Sequence, residues 1–257
     1  MYSLFQRNES ITRNWSKNKQ KFHRTLNLRD DRGVLHMKNN IQQTKFVILV
    51  ATFISIQVVM TLIPFLGFIP LPAVNITTLH IPTILAGILL GVKGGAIVGL
   101  SFGVMSVINA TIRPTALSFM FSPFAPAPAG FSGNPLSLVV AILPRVVLGV
   151  LAALVYQFIR NKGWELTLSK QKGLKLGAAT LSAVIATFIH TLMVVSLWIV
   201  FFARPLQVAR ELEGLAGVFA FVGAIITSNA LFEAALAGVL MTGFVLALEP
   251  IVKNAFR

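Results

Sequence analysis

From residue 46 to residue 92 the chain carries no formally charged side chain. One crossing of a bilayer's hydrocarbon core takes about 20 apolar residues, so this run between Lys45 and Lys93 is long enough for two. Composition extends the point to the whole molecule. Hydrophobic residues make up 55%, charged residues 12%, and mean hydropathy is +0.78. Such a chain is predicted to be an integral, all-α membrane protein.

Within the run and just past it, glycines recur at 87, 91, 95, 99 and 103. A four-residue spacing on a helix makes a stripe without side chains, against which another helix can pack closely. Lys93 and the pair Gly94–Gly95 interrupt the apolar pattern, which predicts two short helices joined by a tight turn at 92–95.

Read in order, the pattern predicts six spans, at about 46–68, 76–92, 94–109, 136–156, 176–202 and 215–248. The first ends in Pro64, Gly67, Pro70 and Pro72, which do not continue a regular helix. Between the third and fourth lies a stretch from Ala110 to Pro135 with five prolines and with Phe119, Phe121, Phe124 and Phe131. Proline rules out a span there, while the phenylalanines argue against a plain solvated linker. An apolar lid over an outer cavity is the expectation.

The formal net charge is +14, and its placement says more than its size. Residues 1–36 hold eight Lys/Arg against Glu9, Asp30 and Asp31, with no apolar core of a signal peptide. They read as a basic, disordered cytoplasmic tail, with Met37 as an alternative start, and residues 37–257 as the membrane domain. Elsewhere one side of the bundle collects Lys38, Lys45, Lys93, Arg160, Lys162, Lys170, Lys172, Lys175, Lys253 and Arg257. The other collects Arg113, Arg204 and Arg210. Positive charge marks the cytoplasmic side, so both termini are expected there, in the cell membrane. No nucleic-acid partner is needed to explain the charge.

Four polar groups fall inside predicted spans: Arg145 in the fourth, His190 in the fifth, and Asn229 and Glu233 in the sixth. An ionised side chain at such depth costs at least about 2.5 kcal/mol and faces a partner or a wet cavity. Two readings stand: a structural Arg145–Glu233 ion pair, or a pocket in which Arg145 meets an anionic or carbonyl group of a small solute. Asn75, His80, Asn109 and Asn134 sit near the outer ends, where they either cap helices or border such a pocket.

No G-x-x-x-x-G-K-[ST], H-E-x-x-H or G-x-S-x-G motif occurs, and there are no cysteines. His190 has no second ligand at metal-binding spacing. Neither an enzyme nor a bound cofactor is indicated, and uptake through this chain would need a partner to supply energy.

The run LHIPTILAGILLGVKGGAIVGLSFG, the segment NATIRPTALSFMFSP and the run NPLSLVVAILPRVVLG together resemble the substrate-binding S component of energy-coupling factor (ECF) vitamin transporters. The pantothenate type is the most similar, with riboflavin or another B vitamin as the alternative. The resemblance spans about 38–253. It implies a six-helix bundle that captures a vitamin outside and passes it inward with a transmembrane coupling protein, the T component, and two cytoplasmic ATPases. It implies a pocket built from the outer loops and the last three helices. The candidates are Asn75, His80, Asn109, Ser118, Phe119, Asn134, Arg145, His190, Asn229 and Glu233. It also implies docking through a small-xxx-small pair in the first helix, here Ala51 and Ser55. A structural or assembly membrane protein, or an autonomous permease, is the competing class.

Overall fold

The computed structural model describes residues 40–63, 66–69, 76–161 and 168–255. The basic stretch 1–36, and with it the expected tail, lies outside them, as does Asn75. Chain contacts separate Met1–Val47 from Ile48–Arg257, and the helices pack on one another within the second unit.

Among the described residues, five helices are long and apolar enough to cross a membrane. They are α1 (Asn40–Leu62), α2 (His80–Ile112), α3 (Leu136–Asn161), α4 (Leu168–Arg210) and a last one that opens as α5 (Gly214–Ile225). That last helix passes through a π-type turn, Ile226–Ala230, into α6 (Leu231–Ala255). Between α1 and α2 two short strands pair antiparallel: β1 (Phe68–Ile69) and β2 (Ile76–Thr77), with Phe68 opposite Thr77. Ile97, Leu100, Leu143, Leu154 and Val239 are exposed, as suits side chains whose solvent is lipid.

α2 is two rods rather than one. Gly91 has φ 77° and ψ −168°, a conformation open only to glycine at little cost. A Cβ built on Gly95 would lie 3.0 Å from the Cα of Gly87, although eight residues of straight helix span about 12 Å. The chain therefore folds back at Gly91. The break expected at 92–95 comes earlier, at one of the glycines of the stripe itself, and Lys93 and Gly94 are helical.

The other four glycines line the seam with α3. A Cβ at Gly95 would stand 2.3 Å from the carbonyl oxygen of Gly149, and one at Gly87 2.4 Å from the same atom. Gly99 faces the carbonyl of Arg145 and Gly103 the backbone of Ile142. Both rods of α2 thus close on a single helix, and that seam fixes where Arg145 sits.

Several boundaries differ from the sequence reading. α1 ends at Leu62, where Arg113 donates from Nη1 and Nη2 to the carbonyls of Thr61 and Leu62 at 3.3 and 3.1 Å. A cation on the last carbonyls is the favourable arrangement at a helix C-terminus. The second rod of α2 runs on to Ile112 and α3 to Asn161. α4 continues past Phe202 to Arg210, so Arg204 and Arg210 belong to a helix and only residues 211–213 form the connection. It bends at Phe202 (φ −131°, ψ 18°), within a turn of Pro205, whose missing N–H breaks the ladder there.

The proline- and phenylalanine-rich stretch is folded in. A short 3-10 turn, Ser118–Met120, buries Leu117, Phe119 and Met120 in a cluster with Val140, Trp198, Phe202, Leu206 and Val222. Phe119 meets Phe202 edge-on, with ring centroids 6.0 Å apart. Phe124 instead points out, 77% exposed.

Candidate functional site

Arg145 owes its position to its neighbour. Pro144 has no N–H, so the carbonyl of Val140, four residues earlier, loses its helical donor. Arg145 Nη1 donates to that carbonyl at 2.7 Å. The guanidinium carbon then lies 5.4 Å from the ring centroid of Phe102 on α2 and 5.0 Å from that of Phe121 in the loop. Cation–π contacts of this kind contribute about 2 kcal/mol or more when dry. Arg145 is only 3% exposed, and its Nε has no partner among the described residues.

Glu233 reaches the same space from α6. Its Oε1 accepts from the backbone N–H of Thr77 at 3.1 Å, so the carboxylate ties β2 to α6. Arg145 and Glu233 thus each have a hydrogen-bond partner of their own on the backbone. Both side chains line one cavity, and their opposite charges act on each other there.

That cavity holds about 400 Å³ of empty space, including the part open to solvent at its mouth. α3 contributes Arg145. α4 contributes His190, Thr191, Val194, Val195 and Trp198, two helical turns of one face. The last helix contributes Ile225, Asn229 and Glu233, and the loops contribute Thr77 and Phe121. The π-type turn ends at Ala230 and so sets Asn229, while the neighbouring Ser228 hydroxyl donates to the Ala224 carbonyl at 2.6 Å. Such turns often occur at functional sites.

Polar atoms in the lining are short of partners. Both ring nitrogens of His190, Trp198 Nε1, Thr77 Oγ1 and Arg145 Nε are buried without a hydrogen bond among the described residues. Leaving one such group unsatisfied costs about 1–3 kcal/mol. The wall is otherwise apolar, and Phe121 and Trp198 meet edge to face with planes at 75°.

Of the residues singled out from sequence, Arg145, His190, Asn229 and Glu233 come together here. His80 is buried at the start of α2 with Nε2 unpartnered, outside the lining. Asn109 uses its carbonyl to cap α2 against Arg113 N–H. Ser118 is buried and accepts from Thr115 N at 2.8 Å, Phe119 is buried in the apolar cluster, and Asn134 Oδ1 accepts from Leu136 N at 3.0 Å. These three shape the loop without lining the cavity. Ala51 and Ser55 are exposed on α1.

Sequence reasoning missed Thr77, Phe121, Thr191, Val194, Val195, Trp198 and Ile225 as lining residues. Five of them stood within reach of helical periodicity: one, four, five and eight residues after His190, and four before Asn229. Thr77 comes from the two-residue strand β2 and Phe121 from a loop, where no period points.

The fold is that of a multi-pass membrane protein with a cavity between its helices. The family profile "ECF transporter, substrate-specific component" matches residues 45–245. This chain belongs to that family, as a substrate-specific component of an ECF transporter, and is not an enzyme. It is 34% identical over 213 residues to the pantothenic acid transporter PanT of Lactococcus lactis subsp. cremoris (strain MG1363), covering 81% of this chain and 96% of that one. It is 27% identical over 227 residues to the pantothenate transporter PanT of Leuconostoc mesenteroides subsp. mesenteroides, covering 85% and 98%.

Proposed function

We propose that this chain captures pantothenate in the cavity between α3, α4 and α6 and delivers it inward with an ECF coupling module, a T component and two cytoplasmic ATPases. The observation that carries the binding reading is Arg145. It is a buried cation among the residues that line the cavity, with two rings and one carbonyl beside it and an Nε that has no partner among the described residues. Pantothenate offers a carboxylate for it, together with hydroxyls and an amide for His190, Asn229, Trp198 and Glu233. Similarity to two pantothenate transporters over nearly their whole length supports the same choice. The crossed rings of Phe121 and Trp198 leave no parallel slot for a flavin between them.

In this reading the two rods of α2 count separately, giving six crossings. The charge bias puts both termini in the cytoplasm and the cavity's mouth outside, in the cell membrane. Residues 1–36 are a basic cytoplasmic tail. Ala51 and Ser55 form the docking face for the T component.

Native mass spectrometry of the purified chain tests the ligand: a bound species with the mass of pantothenate is the expected result. Arg145→Ala should lower pantothenate affinity by at least about 100-fold, the loss of a buried charge-assisted contact, while the protein stays folded in detergent. Unchanged affinity in that variant refutes the assignment.

A further inference from the structure

We infer that pantothenate enters this cavity together with one proton, taken up by the pair that the ligand's carboxylate forms with Glu233 around the cation Arg145. This rests on the pantothenate reading and deepens it, because it fixes the charge state of the occupied site.

Three ionisable side chains line the cavity: Arg145 from α3, His190 from α4 and Glu233 from α6. Arg145 and Glu233 act on each other. Glu233 also accepts from the Thr77 N–H of β2 at 3.1 Å and from the side chain of Thr191 on α4. Two donors and a cation serve its charged form, so in the empty cavity one negative charge stands against one positive. His190 adds nothing to that balance. Both its nitrogens lack a hydrogen bond among the described residues, and Arg145 and His80 of α2 both act on it. An imidazolium there would be a second buried cation with no anion of its own, a costly state. Lys93 on α2, and Lys175, Arg204 and Arg210 on α4, are not in the lining.

Pantothenate brings one more carboxylate. Wherever that group lies in the cavity, the occupied site holds two negative charges and one positive, among residues as buried as Arg145 (3% exposed) and Glu233 (8%). A net buried charge is costly, and two carboxylates that share a site do not readily both stay ionised. Among the described residues no three His, Asp or Glu side chains stand together as ligands for a metal ion, so a proton is the counter-charge that fits. It comes from bulk water, forms one O–H bond on a carboxylate oxygen and breaks no bond in the protein or the ligand. It belongs to the pair of acids rather than to either alone.

Isothermal titration calorimetry on the purified full chain, at about pH 8 in phosphate and in Tris, tests this. The two buffers differ in ionisation enthalpy, so the difference in observed heat counts the protons taken up. Wild type should take up about one proton with pantothenate, and because the complex holds one proton more than its parts, affinity should fall about tenfold per unit as pH rises from there. With pantothenol, in which an alcohol replaces the carboxylate, the heat should not depend on the buffer. Glu233→Gln keeps an oxygen for the Thr77 amide and removes the second negative charge. That variant should bind pantothenate without proton uptake, at an affinity that changes less than about twofold over the same pH unit. His190→Gln should still take up about one proton.

Pantothenate binding by the wild type without proton uptake overturns the proposal and leaves the vitamin assignment standing, and that comparison needs no variant to fold. Proton uptake that persists in Glu233→Gln, or that vanishes from a His190→Gln variant that still binds, puts the proton elsewhere and overturns it as well. Absence of pantothenate binding by the wild type overturns the vitamin assignment, and the proton falls with it.

Discussion

The guanidinium of Arg145 shows how one dipeptide builds a site. Proline at 144 frees a carbonyl, arginine at 145 takes it, and the bond at 2.7 Å turns the side chain along its own helix. The charge was legible in the sequence as an anomaly inside an apolar span, and so were His190, Asn229 and Glu233. Their neighbours were not legible as a set, because burial of Phe121 or Thr77 depends on how loops fold back, which has no period. Trp198 lay in between. It stands eight residues after His190 on the same face, yet an aromatic in a membrane helix is ordinarily packing. Its unpartnered Nε1, 1% exposed beside the cavity, is what marks it, since a buried indole N–H usually finds a partner. Trp198→Phe keeps an aromatic ring, though a smaller one, and removes the donor. Pantothenate affinity should fall by about 3- to 30-fold, the value of one hydrogen bond with its partner left unmet, read by calorimetry with melting temperature as the control for folding.

At the scale of elements, α2 and α3 depend on glycine for a different reason at each site. Gly91 supplies a backbone angle that turns the chain, whereas Gly95 and Gly149 supply space. The four-residue period was visible in the sequence and correctly implied close packing. It did not reveal which glycine turns the chain, because spacing alone cannot distinguish a residue chosen for its φ from one chosen for its size. Lys93 looked like the break because a charge ends an apolar run, but an exposed lysine just beyond the reversal is tolerated where the rods end. Gly95→Ala should destabilise the protein by about 1–3 kcal/mol, because the new methyl would meet backbone on both sides, Gly149 at 2.3 Å and Gly87 at 3.0 Å. Gly177→Ala on α4 is the matched control. Nothing lies within 4 Å of its would-be Cβ, and the exchange should stabilise that helix by about 0.5–1 kcal/mol. Thermal unfolding of both variants in the same detergent measures the difference, and equal melting temperatures would remove close packing as the reason for the stripe.

For the molecule as a whole, binding and delivery draw on different faces of the bundle. The cavity is enclosed by α3, α4 and the last helix, while α1 turns Phe53, Gln57 and Thr61 inward and leaves Ala51, Thr52, Ser55, Ile56 and Val59 outward. Gln57 anchors it, donating from Nε2 to Thr83 at 2.9 Å. The outward face is small and already satisfied: Ser55 Oγ donates to Ala51 O at 2.9 Å and Thr52 Oγ1 to Ile48 O at 2.9 Å. A serine so bonded presents no dangling hydroxyl to lipid or to another helix, which lets Ser55 serve as a small residue in the close approach that helix pairs in membranes rely on. If this face docks on a T component, the double variant Ala51→Leu with Ser55→Leu adds bulk where a neighbouring helix must come close and changes no residue of the cavity. Pantothenate affinity of the purified variant should stay within about twofold of the wild type, since sites this far apart act independently. ATP-dependent uptake in cells carrying the full transporter should fall by at least about tenfold, and the variant should fail to copurify with the coupling module. Normal uptake would show that α1 meets only lipid there.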